Sequence, residues 1–435
     1  MTIMKKQSIK IFLYAFFGTL LVAGTSCTKD YTNPGGAPEA QVFNSPQGLT
    51  GVAVGLQRVY TAGRASSLYN KIALDGLLTN QLIVLNQGNT SEYQLQLGGG
   101  SVDPTNTIIA GLWTSSNKII YDADNVITGA EKLGDKAYAN GLIGYTTIFK
   151  ALALGDLAMF WEKIPESIGH NVNFVARTEG FNKAIAALDK AITAINAVPV
   201  SPTFTANVPA GIDIINTLHA LKARYALFNG NYALALTEAN AVDLTKKSVF
   251  NFTTVNLNPV FETATSTNNV YAPIDSTLGL PPAIAPDLAD KRVPFYVATF
   301  AANPRFRVNG FASAATSAWP IYLPGEITLI KAEAYARQND LVNGLIELNK
   351  VVTKKPSNDP FGVGADLPPV AGPLTQAQLL DLIYKHRSIE LYMSGMKLED
   401  MRRFGRPVSE RKRSFLPYPF LERDNNPNTP LDPAF

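Results

Sequence analysis

Long stretches of the chain place apolar residues three or four positions apart, which is the spacing that buries one face of an α-helix. In residues 112–133, one such stripe contains Trp113, Ile120, Ala123, Ile127 and Ala130. The same helical periodicity recurs in residues 45–80, 137–161, 179–198, 213–242, 325–352 and 375–405. The pattern therefore predicts a mainly α-helical protein.

Two of these segments have the pattern of helical hairpins. In residues 221–242, Asn229 and Gly230 stand where a helix commonly ends in glycine, and a second helical stretch follows. In residues 330–352, Asp340 is placed to cap the second helix of a similar pair. Both pairs resemble tetratricopeptide units, but about 100 residues separate them, so we do not expect a regular solenoid.

Two long segments lack this periodicity, residues 85–106 and residues 250–324. The first contains the glycine run 98–100, and the second is rich in Asn, Thr, Pro and aromatic residues. Loops of this length in a compact protein are usually functional or disordered. Their turn residues and lack of charge runs predict ordered loops on a helical scaffold.

The amino-terminal end has the layout of an export signal. Lys5, Lys6 and Lys10 precede an uncharged run, residues 11–25, that is first apolar and then small. A membrane-spanning helix needs roughly 20 apolar residues, so this order predicts a secretory signal peptide at residues 1–26. We expect residues 27–435 to form a single domain, with residues 27–44 as a flexible tether.

Cys27, the sole cysteine of 435 residues, directly follows the small residues Gly24, Thr25 and Ser26. A cysteine at this place resembles the lipobox of a bacterial lipoprotein, in which the signal is cut before the cysteine and the cysteine is acylated. Gly24 stands where that motif usually has a larger residue. The alternative is a secreted protein whose cysteine lies there by chance. No disulfide can form within the chain, so its stability must come from packing.

Charge gives no indication of a nucleic-acid partner. The sequence has 38 Lys and Arg against 35 Asp and Glu, and the three lysines of the predicted signal peptide account for the whole excess. Phosphate backbones are bound by a basic surplus, which the mature chain lacks. We therefore expect no nucleic-acid binding.

The sequence offers no catalytic or metal-binding motif that we can defend. The histidines, His170, His219 and His386, are isolated, and no HExxH, phosphate-binding loop, GxSxG or paired-cysteine pattern occurs. Glu326 and Glu333 share a helix face, but glycosidases need two carboxylates facing across a cleft. A structural role for both glutamates, such as pairing with arginine, is the better interpretation, and we expect no catalysis, metal or cofactor.

The long loops instead offer groups that suit sugar binding. Aromatic rings stack on the apolar faces of sugar rings, while Asn and Arg side chains bond to hydroxyls. The loops contain too many aromatic residues for all of them to lie in the core. The candidate ligand-binding residues are Asn86, Asn89 and Tyr93 in the first loop and Tyr296, Arg307, Trp319 and Tyr322 in the second. The second loop also contains Tyr271 and Arg305.

Several segments together resemble the SusD/RagB family of Bacteroidetes. "PGEITLIKAEAYAR" is similar to a helix of that family, with Glu326 and Glu333 at the matching spacing. "HRSIELYMSGMKLEDMRRFGRP" is similar to its carboxy-terminal signature, and "SFLPYPF" followed by Asn-Pro resembles its terminal segment. The signature positions that agree are Arg387, Glu390, Gly395, Asp400, Arg403 and Gly405.

The resemblance implies a SusD-like helical scaffold with tetratricopeptide-like helix pairs and long ligand-binding loops. It also implies a lipoprotein, anchored through Cys27 at the surface of the outer membrane, that captures oligosaccharide and delivers it to a partner SusC-like TonB-dependent transporter. The matching motifs belong to the scaffold, so no ligand-binding residue follows from them. A peptide or other nutrient binder on the same scaffold is the alternative, and a lipid-anchored hydrolase is a further one.

Overall fold

The predicted helices are present, with breaks where the sequence carries turn residues. The computed structural model describes residues 42–435, so the predicted signal peptide, Cys27 and most of the predicted tether lie outside the described residues. The helices of its amino-terminal half are α1 (Pro46–Thr61), α2 (Ser67–Leu78), α3 (Thr90–Leu97), α4 (Thr107–Glu131), α5 (Lys136–Phe160), α6 (Thr178–Ala197), α7 (Pro202–Ala206), α8 (Ile214–Phe228) and α9 (Tyr232–Asn240). Those of the carboxy-terminal half are α10 (Arg292–Tyr296), α11 (Pro324–Arg337), α12 (Leu341–Val352), α13 (Gln376–Glu390), α14 (Lys397–Arg403) and α15 (Phe420–Asn425).

Short strands pair antiparallel within the long connections. They are β1 (Leu82–Val84), β2 (Lys163–Pro165), β3 (Phe174–Ala176), β4 (Val249–Phe250), β5 (Tyr271–Pro273), β6 (Val297–Thr299), β7 (Phe306–Val308) and β8 (Trp319–Pro320). The pairs are β1 with β5, β2 with β3, β4 with β8, and β6 with β7. Three of these four pairs lie in or join the two segments predicted as loops.

Each helix of the stack packs on the next. α4 packs on α5, α5 on α6, α6 on α8, and α8 on α9. α9 then packs on α11, so the two hairpins that are about 100 residues apart in sequence become adjacent in the stack. Both predicted turns are confirmed: Gly230 has φ +76°, and the Asp340 side chain accepts a hydrogen bond from the amide of Asn343.

The interior of this stack is the core of one compact unit, Phe43–Phe435. α5 is long and apolar enough to cross a membrane, but 89% of its most apolar stretch is buried inside the protein. Gly155 lets α8 approach α5 closely, because a Cβ there would lie 2.3 Å from the ring of Tyr225. α5 is therefore a helix of the protein's own core.

The segment 45–80, which has helical periodicity, is divided into α1 and α2 at a break where Gly63 has φ +70° and Ser66 caps α2. One sequence expectation needs correction. The first long loop is not wholly irregular, because α3 lies within it. Only Glu92 and Leu95 of α3 are buried, and two positions are too few to show a helical pattern in the sequence.

Candidate ligand-binding surface

The two long loops meet on one surface of the protein. β1 pairs with β5 so that Val84 lies opposite Tyr271, and the amide of Leu85 donates to the carbonyl of Val270 at 3.0 Å. The residues that follow Val84 and those that precede Tyr271 are therefore side by side. Asn86 and Asn89, two of the predicted site residues, lie at this junction.

Hydrogen bonds from both asparagines hold the junction together. Asn86 Nδ2 donates to Asn269 Oδ1 at 3.2 Å, and Asn89 Nδ2 donates to the Asn269 carbonyl at 3.3 Å. The Asn86 side chain also accepts from the amide of Gly88, which closes the turn between β1 and α3. The amide groups of Asn86 and Asn89 are thus fixed in position at an exposed edge.

Arg64, in the break between α1 and α2, adds a cation to this surface. Its Nη2 donates to Asn89 Oδ1 at 3.2 Å and to Glu92 Oε1 at 2.5 Å. Glu92 is buried and also accepts from the hydroxyl of Tyr69 at 2.8 Å. The half-exposed Arg64 is therefore held from below by a buried carboxylate while its outer edge faces solvent.

Sequence reasoning did not identify Arg64 or Asn269 as members of this cluster. Tyr93, which it did identify, lies partly exposed on α3. Gly63 lies two residues after the end of α1, and this glycine could have indicated from sequence that the chain leaves the helix just before Arg64. We name the set Arg64, Asn86, Asn89, Tyr93 and Asn269 the asparagine cluster.

The aromatic site residues of the second loop lie deeper than the asparagine cluster. Tyr296, Trp319 and Tyr322 are only 4%, 7% and 2% exposed, and together they line a cavity of about 50 Å³. Pockets that hold small molecules measure roughly 300–1,000 Å³, so this cavity has room for a few water molecules and not for a sugar.

Strand and helix pairing explain this burial. Trp319 lies in β8, which pairs with β4, and Tyr322 comes just before α11. The hydroxyl of Tyr296 donates to the carbonyl of Glu390 at 2.5 Å. The structure thus brings three of the predicted residues together beneath the loops rather than at their surface.

Arg307 lies on the hairpin formed by β6 and β7. Its guanidinium carbon is 4.2 Å from the ring centre of Phe300, and its Nε donates to the carbonyl of Pro304 at 3.4 Å. β7 contacts β5, so this hairpin adjoins the sheet from which the asparagine cluster projects. The predicted residue Arg307 is therefore partly exposed on a hairpin that contacts β5, and no hydrogen bond joins it to Asn86 or Asn89.

A separate groove of about 700 Å³ runs between α4, α5 and α6. Its floor is apolar, with Ile120, Ile143 and Leu154 among its residues, and Lys150 pairs with Asp124 at its edge. No sequence feature indicated this groove, because its lining comes from three helices whose pattern alone predicts core packing.

The carboxylates that sequence reasoning weighed as catalytic are structural. Glu326 accepts from Arg224 Nε at 2.5 Å and from its Nη2 at 2.8 Å, and Glu333 accepts from Arg403 at 2.9 Å. Both glutamates are 1% exposed, which confirms the expected pairing with arginine. Glu326 lines the cavity of about 50 Å³ beneath the loops, which is too small for a sugar.

The helical histidines also have structural partners. Burial and the neighbouring charge of Arg292 lower the pKa of His386, and its Nδ1 accepts from Arg292 Nη2 at 2.9 Å. His219 Nδ1 lies 2.6 Å from the carboxylate of Glu238. Within residues 42–435, no group of three or more His, Cys, Asp or Glu side chains is arranged to hold a metal ion.

No protein-family model matches the chain, and no curated protein matches it in sequence. Solved structures do match it. A SusD superfamily protein from Bacteroides thetaiotaomicron VPI-5482 superposes with a TM-score of 0.70 at 16% identity, over 90% of this chain and 100% of that one. A SusD superfamily protein from Bacteroides vulgatus ATCC 8482 gives a TM-score of 0.67 at 13% identity, with the same two coverages.

A third match has a bound ligand. Surface glycan-binding protein A from Bacteroides thetaiotaomicron, in complex with laminarihexaose, has a TM-score of 0.65 at 15% identity, over 88% of this chain and 98% of that one. Identities this low establish likeness of fold. The mainly α-helical architecture and its likeness over almost the whole length of these proteins lead to one conclusion: the chain has the SusD superfamily fold.

Proposed function

We propose that this protein binds an oligosaccharide at the cell surface and delivers it to a SusC-like TonB-dependent transporter. The observation that carries the proposal is the surface where two long loops meet on a SusD scaffold, a fold that in one similar protein is seen with laminarihexaose. A rigid helical stack that presents ordered polar loops is suited to binding, because the loops are positioned before the ligand arrives.

In this proposal the asparagine cluster forms one part of the binding surface. After their bonds within the protein, the Asn86 side chain keeps one N–H and one acceptor site, and the Asn89 side chain keeps an acceptor site, so both can bond to sugar hydroxyls. Tyr93 supplies an aromatic face and Arg307 a further donor. Tyr296, Trp319 and Tyr322 support the loops from below, so their truncation would disturb binding through loss of packing.

Affinity gels and calorimetry with a panel of oligosaccharides test the proposal, using protein that begins at Thr28. The double variant Asn86→Ala/Asn89→Ala should weaken binding about tenfold or more, since each lost hydrogen bond to ligand is worth roughly 0.5–1.5 kcal/mol. Asn425→Ala, an exposed asparagine on α15, is the matched control and should bind normally. If the protein binds peptides but no oligosaccharide, the alternative function, a peptide binder on the same scaffold, is favoured.

The anchor is tested separately. We propose that Cys27 is acylated and holds the protein at the outer membrane, where two or more acyl chains make a stable anchor. A clickable fatty acid should label the wild-type protein and not Cys27→Ala. Equal labelling of both proteins would contradict the anchor.

The transporter partnership and the absence of catalysis are also proposals. Co-purification with a TonB-dependent transporter from the same genome should give a complex, and failure with every such transporter would contradict delivery. Incubation with the bound oligosaccharide should leave its length unchanged. Shortened products would instead favour the hydrolase. Glu326 and Glu333 are each buried and paired with an arginine, which supports binding without hydrolysis.

A further inference from the structure

The hairpin of β6 and β7 has one face in the core and one in solvent. On β7, Phe306 packs against the core and Val308 is buried, so Arg307 between them projects from the opposite face, and Arg305, which directly precedes β7, is exposed. The register places Arg307 opposite Ala298, whose small side chain leaves room across the strand pair. The amide of Phe300 donates to the carbonyl of Arg305 at 2.8 Å and closes the hairpin.

Both arginines lie over phenylalanine rings. The guanidinium carbon of Arg307 is 4.2 Å from the ring centre of Phe300, and that of Arg305 is 5.6 Å from the ring centre of Phe306. Stacking engages the flat face of a guanidinium and leaves its edge N–H groups able to donate. The Nε of Arg307 already donates to the carbonyl of Pro304, so its Nη groups are the ones that would bond to a ligand. The Phe300 ring is still 44% exposed, so part of it remains available to a ligand.

No described acidic side chain neutralises these two cations. Among residues 42–435, neither Arg305 nor Arg307 forms an ion pair, although most other arginines of the chain do. The sequence from 291 to 325 contains no Asp or Glu at all. Of the elements that pack on β7, β5 and β6 are uncharged, and the turn Phe261–Thr265 has one acid, Glu262, which pairs with neither arginine.

We propose that Phe300, Arg305 and Arg307 form a subsite for an acidic sugar, in which the ring stacks on Phe300 and its carboxylate or sulfate bonds to the guanidinium edges. The proposal rests on the proposed function and narrows it to anionic oligosaccharides. Planar arginine forks match carboxylate and sulfate oxygens two at a time, which gives strong and directional hydrogen bonds. The adjoining asparagine cluster then binds the hydroxyls of neighbouring sugars.

Calorimetry with three hexasaccharides tests the subsite on protein that begins at Thr28, which includes the whole unit Phe43–Phe435. The probes are neutral laminarihexaose, its sulfated derivative, and a hexamer of galacturonic acid. We expect at least one acidic probe to bind ten times or more as tightly as the neutral one, and the preferred probe identifies the acid as sulfate or carboxylate. Raising the salt concentration should reduce that preference, because exposed charges are screened.

Arg305→Gln should remove most of the preference for the acidic probe and leave laminarihexaose binding within about twofold. Arg307→Gln should also remove most of the preference, and it is judged by the ratio of acidic to neutral affinity, because Arg307 is itself a donor in the proposed binding surface. Arg58→Gln, an exposed arginine on α1, removes the same charge elsewhere and should keep the preference. Both hairpin arginines lie at the surface, so we expect each variant to melt like wild type.

Three outcomes would overturn the subsite: equal binding of acidic and neutral probes, an unchanged preference in both hairpin variants, or an equal loss in Arg58→Gln. In each of these cases binding of laminarihexaose would leave the proposed function intact. If no oligosaccharide of any charge binds, the proposed function itself fails, and the subsite with it.

Discussion

Replacement of Arg387 by methionine should destabilise the protein strongly without changing any loop. Arg387 is fully buried in α13, and its Nε and Nη2 donate to the two carboxylate oxygens of Asp400 at 2.9 and 3.0 Å. Glu333 lies 3.8 Å from the same Nε. Methionine fills much of the arginine volume, so the substitution mainly removes a charge.

The magnitude follows from the carboxylates that remain. Without Arg387, the buried Asp400 and Glu333 share the charge of Arg403, which donates to them at 2.8 and 2.9 Å, and Arg337 lies 3.5 Å from Glu333. Removing one partner of a buried ion pair costs about 3–5 kcal/mol. For the unit Phe43–Phe435, the entropy of unfolding is on the order of 0.8 kcal/mol per kelvin, so Tm should fall by about 5 °C.

Scanning calorimetry and urea unfolding of protein that begins at Thr28 measure this loss. The control is Lys118→Met, which removes a cation from the exposed pair with Asp122 and should change stability by less than about 1 kcal/mol. A Tm for Arg387→Met within 1 °C of the control would refute the reasoning. The double variant Arg387→Met/Asp400→Leu should lose less stability than the sum of the two single variants, because they share one interaction.

Two further predictions concern packing and pH. Gly155→Ala places a Cβ 2.3 Å from the ring of Tyr225 and should cost about 1–3 kcal/mol, whereas Gly55→Ala on α1, with nothing within 4 Å, should leave stability equal or slightly higher in urea unfolding. Burial raises the pKa of Asp75 to about 6, so the folded protein keeps a proton that the unfolded chain releases near pH 4. Stability should therefore fall by on the order of 3 kcal/mol from pH 4 to 6 through this group, and the stability of Asp75→Asn should lack that slope.

The helical scaffold could be predicted because its signals are local. The stripe from Trp113 to Ala130 and the turns at Gly230 and Asp340 each depend on residues within a few positions of one another. The structure confirms all of them, in α4 and in the two hairpins. The adjacency of those hairpins could not be predicted, because α9 and α11 meet only after a long connection has folded back.

The candidate site was predicted only in part, because its geometry depends on distant residues. Asn86 bonds to Asn269 across 183 positions, and no periodicity indicates such a contact. The depth of Trp319 follows from the pairing of β8 with β4, which two-residue strands do not reveal in sequence. Composition therefore identified which side-chain types the loops hold, and tertiary pairing decided which of them reach the surface.

The difference between scaffold and loop residues explains why the carboxy-terminal signature indicates the fold but does not indicate which ligand is bound. Arg387 pairs with Asp400, and Glu390 pairs with Arg292 and Lys354 in a second buried set. These charges lie where an unpaired partner would cost several kcal/mol, so they must be retained together whatever the protein binds. The loop cations Arg305 and Arg307 have no such partner and can change without loss of the fold. We therefore expect the loop residues to determine which ligand is preferred. Changing the charge of the β6–β7 hairpin is the most direct way to test this.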